Sequence, residues 1–108
     1  MRAVLIGNPE AGRKVGFTTN LNTIDDAVAA LQRAGVDPFV RLTDGPGSGS
    51  HLARRAVAEG FDTIIAAGGD GTVQEVAHSL VGTDATLGIM PLGSIMNVAR
   101  TLGIARDL

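Results

Sequence analysis

Short apolar runs alternate with amphipathic stretches along this chain. Ala3-Val4-Leu5-Ile6-Gly7 is apolar throughout and predicts a strand buried on both faces. Asn8 to Asn20 holds Pro9, Gly12 and Gly16 with Arg13 and Lys14, and is expected to be a loop. Asn22 or Thr23 then caps a helix, with Asp25 and Asp26 in its electropositive first turn. Ile24, Ala27, Val28 and Leu31 share one face of that helix, and Gly35 ends it. Pro38-Phe39-Val40-Arg41-Leu42 predicts a second strand, and its charged Arg41 points towards a sheet edge. The glycine-rich stretch Asp44 to Gly49 is expected to be flexible. Ser50 caps a helix running to Glu59, with Leu52, Ala56 and Val57 inward and Gly60 as its stop. Thr63-Ile64-Ile65-Ala66-Ala67 is the clearest strand of the chain. Thr72-Val73-Gln74-Glu75 has the spacing of a capping box and predicts a helix through Leu80. Ala85 to Met90 forms a fourth strand, Pro91 to Ser94 a turn, and a last helix reaches Leu102 before Gly103.

Strand and helix alternate four times, which predicts an α/β fold. The expected architecture is three-layered αβα and Rossmann-like, with a mostly parallel sheet. The chain of 108 residues is expected to be one domain, 1–108, without linkers or repeats. Composition fits such a core: hydrophobic residues make up 44%, yet there are three Phe and no Trp or Tyr, so Val, Ile, Leu and Ala must fill it. A net charge of −2 and the scarcity of aromatics argue against a nucleic-acid partner. The absence of cysteine excludes disulfides and thiolate metal sites and fits a cytoplasmic location. Met1-Arg2 leads straight into a short strand, so no export signal is expected. No apolar run is long enough for a bilayer, so membrane contact would have to be peripheral.

In such sheets, ligands bind beyond the carboxyl ends of the strands. The four predicted ends carry Asn8-Pro9-Glu10-Ala11-Gly12, Thr43-Asp44-Gly45, Gly68-Gly69-Asp70-Gly71-Thr72 and Pro91-Leu92-Gly93-Ser94. The third is the sharpest. Gly68 and Gly69 let a phosphate approach the backbone, and Gly71-Thr72 leads into a helix N-terminus that attracts anions. Asp70 would repel a bare phosphate, so it acts through Mg²⁺ or as an orienting hydrogen-bond acceptor. Thr72 either caps the helix or donates to a phosphate. The plainer alternative is a tight turn with a capping box, which does not need three glycines around one acid. Asn8 offers a donor and an acceptor, and Gly12 allows close approach. Thr43 either bonds a ligand or caps a turn, and the Ser94 hydroxyl can reach the same rim. Asn97 and Arg100 follow Ser94 on the last predicted helix; Arg100 either neutralises phosphate or serves the helix C-terminus. Arg13-Lys14 either clamp a phosphate or lie in solvent. His51 and His78 have no ligand-spaced partner, Arg54-Arg55 form a solvated face, and Met90 and Met96 belong in the core.

The stretches Asn8 to Gly12, Gly68 to Val76 and Pro91 to Arg100 resemble the N-terminal part of the diacylglycerol kinase catalytic family. That family includes sphingosine, ceramide and bacterial lipid kinases. The resemblance spans the chain in order and spacing. Gly-Gly-Asp-Gly-Thr alone is shared with NAD kinases and phosphofructokinases; the Pro91-to-Arg100 block favours lipid kinases. The resemblance implies ATP-dependent, Mg²⁺-dependent phosphorylation of a lipid hydroxyl such as that of diacylglycerol. It implies that Asn8, Pro9, Glu10, Ala11, Gly12, Thr43, Gly68, Gly69, Asp70, Gly71, Thr72, Val73, Gln74 and Ser94 hold ATP. Asp70 would position the nucleotide or metal. The family pattern carries Asn and Asp where Met96 and Asn97 stand here. Family members also carry a β-rich second domain thought to hold the general base and the lipid site. Little lipid kinase activity is therefore expected from these residues alone, and self-association is expected through a face that the second domain would cover. The alternatives are a kinase of NAD or a sugar phosphate, a nucleotide-binding regulatory module without chemistry, and a structural domain without ligand.

Overall fold

The computed structural model describes residues 1–9 and 23–92. Its elements are β1 (Ala3–Gly7), α1 (Ile24–Arg33), β2 (Phe39–Leu42), α2 (Ser48–Ala58), β3 (Thr63–Gly68), α3 (Asp70–Ser79) and β4 (Thr86–Pro91). The strands pair in parallel, in the order β2-β1-β3-β4. The expected last helix, with Met96, Asn97 and Arg100, and the loop with Arg13 and Lys14 lie outside the described residues.

The apolar β1 is buried at every position between β2 and β3. Its alternate residues feed two cores. Val4 and Ile6 pack with Ala53, Ala56, Val73 and Val76 of α2 and α3. Ala3 and Leu5 pack with Ala27, Val28 and Leu31 of α1. The sheet is thus sandwiched, α1 on one face and α2 with α3 on the other, which is the three-layer α/β arrangement read from the pattern. β2 is an edge strand, as Arg41 suggested. Phe39, Val40 and Leu42 remain exposed there, while the Arg41 guanidinium pairs with Glu59 and lies over the Phe61 ring. The strand starts at Phe39 rather than Pro38, since proline has no N–H to give a ladder.

The caps explain where helices stop. Thr23 accepts from the Asp26 N–H at 3.1 Å and starts α1. Gly35, at φ +88°, ends it. Its N–H donates to Gln32 and that of Val36 to Leu31, a Schellman motif. Gly60 (φ +93°) and Phe61 repeat this motif after α2.

Two predicted helix starts are corrected. Ser50 does not cap α2; the helix begins at Ser48 after Gly47, which has φ +84°. The Glu75 carboxylate accepts from the N–H groups of Gly47 and Gly49 at 3.1 and 2.9 Å and so replaces a local cap. Thr72 to Glu75 is not a capping box either. α3 begins at Asp70, and the Val73 N–H closes its first turn on the Gly69 carbonyl. Thr72 therefore sits inside the helix, and Glu75, its supposed partner, has turned to α2.

Candidate functional site

The strand order sets where a ligand can sit. From β1 the chain crosses through α1 on one face to β2; from β3 it crosses through α3 on the opposite face to β4. The helices that follow β1 and β3 thus lie on opposite faces of the sheet, the arrangement in which a crevice opens at the carboxyl ends. The parallel ladders run one residue past the strands. Asn8 donates to Ala67 at 3.3 Å, Thr43 to Gly7 at 2.8 Å and Leu92 to Gly68 at 3.2 Å, so these ends form a level rim.

On this rim lies a cleft of about 540 Å³, within the size range of small-molecule and cofactor sites. Asn8 and Pro9 form one side. Thr43, Asp44, Gly45 and Pro46 form a wall, and Gly69 with Gly71, Thr72 and Glu75 of α3 completes the lining. Residues from three separate strand ends, read as candidates from sequence, are thus brought together.

The three glycines of the β3–α3 turn have different reasons to be glycine. A Cβ on Gly68 would meet Cβ and Oγ1 of Thr72, both at 3.2 Å. Gly68 is therefore needed so that the first turn of α3 can pack on its own strand. Gly69 and Gly71 are different. Neither has positive φ, and among the described residues a Cβ on either would meet nothing within 4 Å. Among the described residues, neither backbone conformation nor packing calls for glycine at these two places, and both line the cleft. Gly69 also gives α3 no side-chain cap. The first-turn N–H groups of α3, which have no intrahelical acceptor, are left beside the cleft with the positive end of the helix dipole. The arrangement is suited to an anion approaching the backbone closely.

The remaining expected site residues take varied places. Asp70 is half-buried at the first position of α3 and is not among the residues lining the cleft. The Val73 side chain is 3% exposed and belongs to the core between sheet and α3. Gln74 is exposed on α3. Glu10, Ala11, Gly12 and Ser94 lie outside the described residues. His51 and His78 are exposed, Arg54 and Arg55 lie on an open face, and Met90 is buried in the core. Among the described residues, no three His, Cys, Asp or Glu cluster as a metal site. Asp44 on the cleft wall and Asp70 beside it are oxygen donors of the type Mg²⁺ takes one or two at a time, completing its shell with phosphate and water.

Thr43, Asp44 and Gly45 of the wall were read from their place directly after β2. Glu75 was read as the partner in a local capping box, and its bonds to α2 could not be found that way, because those partners lie 26 and 28 residues away.

The sequence model of the diacylglycerol kinase catalytic domain matches residues 2–108. The chain belongs to this family. A diacylglycerol kinase of Bacillus subtilis (strain 168) is 39% identical over 108 residues, covering 98% of this chain and 34% of the relative. One of Staphylococcus aureus (strain JH9) is 35% identical over 109 residues, covering 99% of this chain and 33% of the relative. The chain thus spans about a third of the length of the curated relatives it matches. The crystal structure of a diacylglycerol kinase from Bacillus anthracis str. Sterne superposes with a TM-score of 0.71 at 28% identity, covering 96% of this chain and 37% of that one. Family membership makes this a kinase-type domain, and the superposition agrees with the parallel α/β sheet. Among the described residues, no helix is long and apolar enough to cross a membrane.

Proposed function

We propose that this chain is the ATP-binding part of a lipid kinase that transfers the γ-phosphoryl group of ATP to a lipid hydroxyl, diacylglycerol being the leading candidate. The observation that carries the nucleotide assignment is the pair Gly69 and Gly71. Both are open towards the cleft, at a helix N-terminus with no side-chain cap, and nothing among the described residues requires either to be glycine. The lipid acceptor is suggested by the names of the relatives, diacylglycerol kinases of Bacillus and Staphylococcus.

In this assignment the first-turn N–H groups of α3 hold the phosphate end, and the missing Cβ atoms let it reach them. Thr72 adds a hydroxyl donor. The Thr43-to-Pro46 wall receives the sugar and base, with Asn8 and Pro9 closing the opposite side. Asp70 and Asp44 offer carboxylates to Mg²⁺, which when bound would offset phosphate charge. Phosphoryl transfer asks the protein mainly for position and charge, and these residues supply the nucleotide's share of both.

The test is calorimetric titration of the chain with ATP and Mg²⁺. Saturable binding is expected. No heat above dilution, in a chain shown to be folded by circular dichroism, would sink the nucleotide assignment. The acceptor is tested separately on the full-length protein, by transfer of labelled phosphate to diacylglycerol in mixed micelles.

A further inference from the structure

Two helix N-termini border the cleft, and they are treated differently. That of α3 has no side-chain cap. That of α2 is closed by the Glu75 carboxylate: Oε2 accepts from the Gly47 N–H at 3.1 Å and Oε1 from the Gly49 N–H at 2.9 Å. The carboxylate comes from α3 itself, one turn beyond Thr72 on the same face, and lines the cleft. The backbone is fitted around it. A Cβ on Gly49 would stand 2.8 Å from Oε1, so residue 49 has to lack one for the carboxylate to sit there. The two helices are fastened at the same point, since Ser50 Oγ of α2 donates to the Glu75 carbonyl at 3.3 Å and Ser79 Oγ of α3 lies 3.4 Å from the Ser50 carbonyl it donates to.

We infer that Glu75 is a positioning residue that decides which end of the cleft takes phosphate. It occupies the α2 N-terminus with a charge of the same sign as the ligand and, by the same bonds, holds the Asp44-to-Pro46 wall against α3. Phosphate is left with α3 alone. The uncharged sugar and base are left with the wall. A nucleoside triphosphate is thereby favoured over an inorganic polyphosphate, which would use both helix ends if both were open. This inference rests on the assignment of the cleft to ATP.

The probes are ATP and inorganic triphosphate, each with Mg²⁺, titrated into the wild-type chain and into Glu75→Gln, with affinity from calorimetry and location from backbone amide NMR. Gln keeps the shape and one acceptor oxygen but removes the charge. In the wild type, inorganic triphosphate is expected to shift the Gly69 and Gly71 amides and to leave Gly47 and Gly49 in place. In Glu75→Gln the Gly47 and Gly49 amides should respond as well, and the preference for ATP over inorganic triphosphate should fall at least tenfold. A residue that only holds the fold together would weaken both ligands in parallel and leave that preference unmoved, which would overturn the inference. So would wild-type Gly47 and Gly49 amides that respond as strongly as Gly69 and Gly71.

Gly49→Ala gives an independent arm if Glu75→Gln does not fold. Its Cβ levers the carboxylate off without removing its charge, so ATP should weaken at least threefold while inorganic triphosphate gains nothing; an unchanged ATP affinity there would also count against the inference. A folded wild type that binds neither probe would overturn the ATP assignment and this inference with it. A wild type that binds both, with an unmoved preference in the variants, would overturn this inference alone.

Discussion

Gly71→Ala should make the protein more stable and a poorer binder at the same time. Gly71 is the second residue of α3, is exposed, has negative φ, and leaves open space among the described residues where a Cβ would go. Alanine is therefore accepted without strain. Glycine costs a helix interior about 0.5–1 kcal/mol relative to alanine, and a first-turn position is expected at the lower end of that range. For a chain of this size such a gain raises Tm by about 2–6 °C. The new methyl would stand beside the N–H groups assigned to phosphate, so ATP affinity should fall at least tenfold, a loss of about 1.4 kcal/mol. Differential scanning calorimetry gives the first quantity and titration calorimetry the second. A stabilised variant that binds ATP as the wild type does would refute the claim that ligand access is what keeps residue 71 a glycine. A destabilised variant would refute the open space itself.

Gly68→Ala should behave in the opposite way: its Cβ would crowd Thr72 at 3.2 Å, so the first turn of α3 must shift. The denaturation midpoint should drop by the equivalent of about 1–3 kcal/mol, and an unchanged midpoint would contradict the packing described for this turn. Stability should also fall in acid. Arg41 donates to Glu59 and holds its pKa below the ordinary carboxylate value, and the Thr63 hydroxyl, followed by the Arg2 N–H, does the same for Asp62. Between the depressed and the ordinary values the unfolded chain binds more protons, so this contribution is complete above the ordinary range and disappears as pH falls through the folded values. Urea midpoints measured down the acid limb should show a shallower fall for Glu59→Gln, and identical limbs would remove Glu59 from the account.

Much of the fold was legible because its signals are local. A strand buried on both faces has to be apolar wherever it is buried, and β1 and the buried part of β3, from Ile64 on, are. Thr23 accepts from an N–H three residues on, and Gly35 and Gly60 take up the positive φ that ends a helix, so those boundaries followed from residue type. The exposed edge position of β2 followed from Arg41. At the site, glycines after an apolar run and before a helix singled out the β3–α3 turn, and the rule that ligands sit beyond the carboxyl ends of the strands pointed to the β1 and β2 ends that line the same cleft.

What tertiary structure decided involves residues far apart in the chain. The order β2-β1-β3-β4 depends on which strands can cover each other's edges once the helices are in place, and it is this order that brings the ends of β2, β1 and β3 together around the cleft. The starts of α2 and α3 moved because capping is a competition for a few N–H groups. A carboxylate from another helix outcompeted Ser50, and Glu75, spaced for a capping box with Thr72, served a different helix instead. Sequence also treated Gly68, Gly69 and Gly71 as one motif. Three dimensions divided it: Gly68 makes room for Thr72, whereas Gly69 and Gly71 make room for nothing within the described residues. That division shows only when a side chain is placed at each position and its neighbours are measured, since the need for glycine lies in the surrounding space.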